Sequence, residues 1–324
     1  MTEAGRNFEP VGNLEIDDEM MHPIDDHPQF NESALLTMFD REARAGGFLR
    51  IGNRPNERHA ESTFCWFLPD GSALFAFDRA EIASNDRFRT DQISVEVAEP
   101  GHQLRASFRG QAHHLDSAKR LIDPRAALSG STKVATTLDL SLVGVSPLYG
   151  GRPFPGLDSG GHYEQHMRVT GAIVVNGNAT NIVALGNRDH SWGPRVWQAT
   201  HADRTLWCTF GDNFGIATSL TWHSRRPDEY VAMGYVWRHG EMRRVIDASV
   251  RSRFEDAAHL FHTDFNARLH LEDGSSLVVD GKALQIAPLR HRRGGETTHI
   301  GWAMSEFTCD GHKGLGLSEY LDLA

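Results

Sequence analysis

The densest concentration of reactive side chains runs from Gly186 to Trp197, which reads GNRDHSWGPRVW. Arginine, aspartate, histidine, serine and two tryptophans fall within twelve residues, after a strand-like stretch over 181–185 and across a Gly193-Pro194 break. Such a cluster is either a salt-bridged strand end with a tryptophan plug or a polar group set at a cavity mouth. A second group, His162-Tyr163-Glu164-Gln165-His166, lies shortly before it. On a strand, His162, Glu164 and His166 share one face, because side chains alternate, and Tyr163 and Gln165 take the other. Three titratable groups on one face are costly in a dry core, so that face is either wetted surface or the lining of a site.

A turn centred on Asn176-Gly177 would fold these two segments into a hairpin. Counting outward from it places Glu164 opposite Asp189, where cross-strand neighbours lie about 5 Å apart. Two carboxyls that close do not both ionise comfortably in an apolar site, so one should hold a proton. The pair would then act as an acid and a base, with His162 on the same face and His190 as a further base. A metal reading is disfavoured: on a strand His162 and His166 stand about 13 Å apart, too far to share an ion. HExxH sites bring their histidines together on a helix.

Other motifs lead nowhere or depend on position. Arg50 to His59 (RIGNRPNERH) follows Asn31-Glu32-Ser33 and serves a site, with Asn53 as a contact, if it folds over the same cavity. GHKGLGLSEYLD (311–322) has a GxG pair without a dinucleotide fingerprint, so NAD is rejected. There is no Walker A and no nucleophile elbow, and Ser191 beside His190 is not a triad.

The elements that must position these groups read as strands. Short apolar segments over 62–77, 93–110, 136–145, 171–186 and 267–289 carry turn signals, among them Asp70-Gly71, Asn176-Gly177 and Asp273-Gly274. The best helical pattern is Ser33–Ala45, and 117–128 suits a short helical turn. The pattern is all-β and antiparallel, and closed barrels remove the exposed edges such sheets would otherwise carry. The glycine-rich 150–161 separates two strand-rich halves. We therefore expect an extended or disordered arm over 1–22, one domain over 23–155 and another over 156–324.

Composition narrows the function. The 324 residues carry 33 basic and 43 acidic side chains, a net charge of −10, which disfavours nucleic acid as a partner. Three scattered cysteines exclude a disulfide scaffold and favour a reducing compartment. Residues 1–26 do not read as a signal peptide, and no apolar run is long enough to span a bilayer, so a soluble, cytoplasmic protein is expected. Oligomeric state is not encoded legibly.

Asp189-His190-x-Trp192-Gly193 resembles the signature of a superfamily. It contains carotenoid hydratases of the hydroxyneurosporene synthase type and lipocalin-like Diels–Alderases and terpene cyclases. The wider pattern of Asn31-Glu32-Ser33, RIGNRPN, HYEQ, RDHSWGPR and GLGLSEY is similar to an uncharacterised bacterial branch, and spans about residues 23–322. The chain reads Asp-His-Ser where the carotenoid branch reads Asp-His-Asn. The resemblance implies two lipocalin-like (calycin-type) antiparallel β-barrels packed together, a largely apolar pocket and no cofactor. It gives Asp189 the role of the acid that protonates a carbon–carbon double bond. Trp192, Trp197 and Tyr163 would face the resulting cation, with Arg188 and Arg195 nearby. The expected activity is that of a hydratase or dehydratase, isomerase or cyclase on a hydrophobic, isoprenoid-like small molecule. A non-catalytic carrier of such a ligand is the alternative, and a metal-dependent β-barrel enzyme a third.

Overall fold

A computed structural model of the chain describes residues 8–153 and 160–324. Twelve strands form the first unit: β1 (Val11–Asn13), β2 (Phe30–Asp40), β3 (Ala45–Arg54), β4 (His59–Phe67), β5 (Ala73–Glu81), β6 (Phe88–Arg89), β7 (Ile93–Glu99), β8 (Gln103–Leu115), β9 (Thr132–Gly144), β10 (Tyr149–Gly151), β11 (Gly161–Val175) and β12 (Asn178–Pro194). Eight form the second: β13 (Thr200–Gly211), β14 (Phe214–His223), β15 (Arg226–Arg238), β16 (Glu241–Phe254), β17 (His262–Leu271), β18 (Ser276–Arg293), β19 (Glu296–Cys309) and β20 (His312–Leu323). The second unit is a closed antiparallel barrel, β13 pairing with β20. In the first, β9 bonds both β8 and β11, which closes the ring β11-β12-β2-β3-β4-β5-β8-β9. The all-β, lipocalin-like architecture expected from the hairpin signals is what forms.

The turn chemistry acts locally. Asn176 and Gly177 have φ of 48° and 85°, so the two-residue turn between β11 and β12 uses the positive φ that this pair tolerates. The 117–128 stretch holds a short 3-10 turn over Ala118–Ile122, and α1 covers Pro124–Ser129.

Two expectations need correction. Ser33–Ala45 is not a helix: Phe30–Asp40 is strand β2. Leu36 and Met38 point into the first barrel while Leu35 and Phe39 point toward the second unit. A strand buried on both faces reads as a continuous apolar run, which mimics a buried helix. The change of sheet falls between Pro194 and Thr200 rather than at 150–161, because β11 and β12 pair with β9, β10 and β2 of the first unit. Of the N-terminal arm, residues 1–7 lie outside the described residues. Beyond them the arm is docked, with β1 parallel to β10 and Asp18 and Glu19 buried.

Apolar side chains gather mainly in three places: inside the first barrel around Leu36, Phe64 and Phe108, inside the second around Leu206, Phe265 and Phe307, and between them around Leu35, Phe48, Trp207 and Trp302. The cysteines are buried and unpaired. No helix among the described residues is long and apolar enough to cross a membrane.

Candidate active site between the two barrels

The β11–β12 ladder runs unbroken from the turn, so Glu164 lies directly opposite Asp189, Tyr163 opposite His190 and His162 opposite Ser191. Alternation then sorts the motif onto two faces. His162, Glu164, Asp189 and Ser191 line a cavity of about 510 Å³ that also takes in Arg50, Arg195 and Trp197. Its far wall comes from the second barrel, with Trp207, Asp203, Trp302 and Glu319. The cavity therefore lies between the outer faces of the two units and not inside either barrel. Its volume suits an ordinary small-molecule ligand. Five carboxyls, those of Asp25, Glu164, Asp189, Asp203 and Glu319, make it more polar than the apolar pocket the resemblance implies.

His162, Glu164 and Asp189 present ligand atoms within 4.8 Å of one another. His162 Nε2 bonds Asp189 Oδ2 and stands 3.7 Å from Glu164 Oε1. Trp207 Nε1 donates to Glu164 Oε1 at 3.1 Å, tying the pair to the second barrel. Burial raises Glu164 to about 7, with Asp189's charge adding to the rise and His162 opposing it. Burial would hold His162 down, but the charge and hydrogen bond of Asp189 overcome it and raise the imidazole. The arrangement is an imidazole bonded to one carboxyl group, beside a second carboxyl that keeps much of its proton near neutral pH.

Further carboxyls complete the far wall. Trp302 and Glu319 are direct cross-strand neighbours, and Trp302 Nε1 donates to the Glu319 carboxyl. Burial pushes Glu319 well above the usual range, and burial likewise raises Asp203 although Thr205, Ser219 and Thr221 donate to it. Sequence reasoning missed Glu319, Asp203, Trp207 and Trp302, and singled out the segment that begins at Arg50 without giving that residue a role. One signal was legible for Glu319: on its face of β20 it interrupts Leu315, Leu317 and Leu321.

Five expected site residues are elsewhere. Arg188, His190 and Trp192 alternate away from Asp189 into the first barrel, with Tyr163 and Asn53. There Glu32 accepts from His190 Nε2 at 2.9 Å, from the backbone N–H and ring of His22 and from Asn85. Burial would raise Glu32, but the bonds from His190 and His22 outweigh it and bring it down to about 2. Tyr163 Oη bonds His190 Nδ1 at 3.2 Å, and Trp192 stacks on His22 with ring centres 3.8 Å apart. Arg188 bonds Gln165 and pairs with Glu19, and Asn53 donates to Asn85. This network fastens the N-terminal arm inside the barrel mouth and does not reach the cavity.

Two groups of donors are close enough for a cation: His162–Glu164–Asp189, and His22–Glu32–His190. In each, imidazole nitrogens already face carboxylate oxygens at bonding distance, so a cation would displace those contacts. His166 belongs to neither. Its Nδ1 meets Asn187 and Thr209 at 3.0 Å, and burial lowers it to about 3.

Two closed, lipocalin-like β-units with a carboxyl-lined cavity between them define the class of protein. The chain belongs to the family described as Domain of unknown function (DUF7064), whose model matches residues 15–324. No curated protein matches it at a significant level. Solved structures share its fold. An AttH-type protein from Nitrosomonas europaea has a TM-score of 0.63 at 13% identity, over 98% of each chain. Kievitone hydratase from Nectria haematococca has a TM-score of 0.59 at 7% identity, over 98% of each chain. CghA in complex with Sch210972 has a TM-score of 0.57 at 13% identity, over 98% of this chain and 96% of that one.

Proposed function

We propose that the protein is a cofactor-independent acid–base enzyme that protonates a carbon–carbon double bond of a hydrophobic, isoprenoid-like small molecule. The observation that carries this reading is the Glu164–Asp189 pair with His162, facing one cavity. Asp189 was the acid implied by resemblance. The surroundings favour Glu164 for that role, since burial keeps its proton near neutral pH while Asp189 is engaged by His162. Trp207 donates to one Glu164 oxygen, which leaves the other to carry the proton.

In the step itself the Glu164 O–H bond breaks and the alkene π pair takes the proton as a new C–H bond. The neighbouring carbon becomes cationic, and the indoles of Trp197, Trp207 and Trp302 border the cavity that would hold it. In a hydration, water adds to that carbon and its proton passes to Asp189 and on to Glu164, restoring the acid. Loss of a different proton gives isomerisation, and capture by a second double bond gives cyclisation. That a fold neighbour is named as a hydratase supports hydration among these. A mere carrier has no need of such a pair.

The test is solvent deuterium incorporation. A panel of prenylated phenols and linear isoprenoids is incubated with the protein in D₂O and read by mass spectrometry. Carbon-bound deuterium with the wild-type protein, lost in Glu164→Gln, is the expected result. Incorporation that survives in a folded Glu164→Gln protein removes Glu164 from the step, and none with wild type favours the carrier.

A further inference from the structure

We infer that the cavity recognises a carboxylate, held by Arg50 and Arg195 beside the Trp197 ring, so that its ligand is an unsaturated apolar acid. This rests on the reading above only in taking the cavity as the substrate site. Arg50 extends from β3 and Arg195 follows directly on β12, and both line the cavity. Their guanidinium carbons lie 6.0 and 5.4 Å from the Trp197 ring centre, so one indole is flanked by two cations.

Neither cation is closely neutralised. The nearest carboxylate oxygen to Arg50 belongs to Glu61, at 3.9 Å, and that carboxylate is already bonded by Arg79 at 2.6 Å. Arg195 has no carboxylate within 4.0 Å among the described residues, and its side chain bonds Ser191 Oγ at 3.0 Å. The nearby Asp189 is occupied by His162. An arginine fork is shaped for a carboxylate, and buried donors without acceptors are costly.

The surroundings keep this space open. Asn31 is 1% exposed, yet neither its amide oxygen nor its nitrogen has a hydrogen-bond partner. A Cβ on Gly52 would stand 3.0 and 3.1 Å from the terminal nitrogens of Arg50 and 3.1 Å from Asn31 Oδ1. Glycine at 52 thus leaves room for the Arg50 fork and the unpartnered amide to converge. Two residues further on, Arg54 is also 1% exposed and donates no hydrogen bond, although Glu57 and Glu61 lie 3.5 and 3.8 Å away. Burial weighs against the charged form of Arg50, a tendency that a bound anion reverses. Asp189 borders the same cavity and repels a dianion more than a monoanion, which favours carboxylate over phosphate.

The experiment compares farnesoic acid, farnesol and farnesyl phosphate in equilibrium binding near neutral pH, read by calorimetry. Farnesoic acid should bind at least about 10-fold tighter than farnesol, the scale of one charge-assisted contact. Arg195→Gln and Arg50→Gln should each remove that preference, so that acid and alcohol bind the same variant about equally. Arg195 lies outside the barrel strands, so its variant decides the matter if Arg50→Gln fails to fold. Equal affinity for acid and alcohol, persistence of the preference in the arginine variants, or tighter binding of farnesyl phosphate would overturn the inference. Binding of farnesol without acid preference leaves the proton-transfer reading standing. Acid preference without deuterium incorporation leaves the anion site standing and removes the enzyme.

Discussion

Glu164 and Asp189 are direct partners across the β11–β12 ladder, and with His162 they present their polar atoms within 4.8 Å of one another. The proximity follows from an unbroken register out of the Asn176-Gly177 turn. A one-residue slip would send one carboxyl into the first barrel. Asp189 and His162 bond one another, and burial favours the proton on Glu164.

The pH dependence should carry the signature of Glu164. As an acid it works only when protonated, so turnover should fall as pH rises through about 7. The same shift bears on stability. Its folded pKa lies above its ordinary 4.5, so the folded protein binds the proton more tightly. Stability should therefore fall as pH rises from 4.5 to about 7, by up to about 3 kcal/mol. Chemical denaturation at several pH values should show that slope, reduced in Glu164→Gln. A slope unchanged by the substitution would assign the effect to another group.

Asp189→Asn should lower turnover by about 10²–10⁴-fold, the range for loss of an acid–base group. It should also lower the pKa of His162, because the charge that raises the imidazole is gone. Histidine titration by NMR reads this directly. A His162 pKa unmoved by the substitution would show that the ion pair does not govern the site.

Glu32 and His190 test the other face of the motif. Glu32→Ala strips a carboxylate from His190, His22 and Asn85 in a buried network, and should cost about 3–5 kcal/mol. His190→Ala should lower stability while the folded fraction keeps activity and ligand affinity. A folded His190→Ala protein with a full catalytic defect would restore His190 to the mechanism.

Gly177 has φ of 85° and open space where a Cβ would be. Gly177→Ala should therefore cost about 1 kcal/mol from backbone strain alone. Thermal unfolding measures it, and a loss several times larger would mean that the turn packs against something.

Much of this was legible in the residues. Asn176-Gly177, Asp70-Gly71 and Asp273-Gly274 lie at hairpin turns, because positive φ is a property of those residues and needs no distant partner. From one such turn, counting alone paired Glu164 with Asp189. The alternation rule itself puts Arg188, His190 and Trp192 on the side of the strand opposite Asp189.

Which face of a strand meets a cavity, and what closes it, depended on packing between the two barrels. β2 is apolar on both faces, so its pattern could not reveal that it is a strand between two cores. The second wall, with Trp207, Asp203, Trp302 and Glu319, comes from strands remote in sequence, and no local signal joins them to β11 and β12. Turn geometry and register are set by neighbouring residues along the chain. The proton on Glu164, the weakly neutralised forks of Arg50 and Arg195 and the burial of His190 are set by desolvation and charge, which only the folded packing supplies.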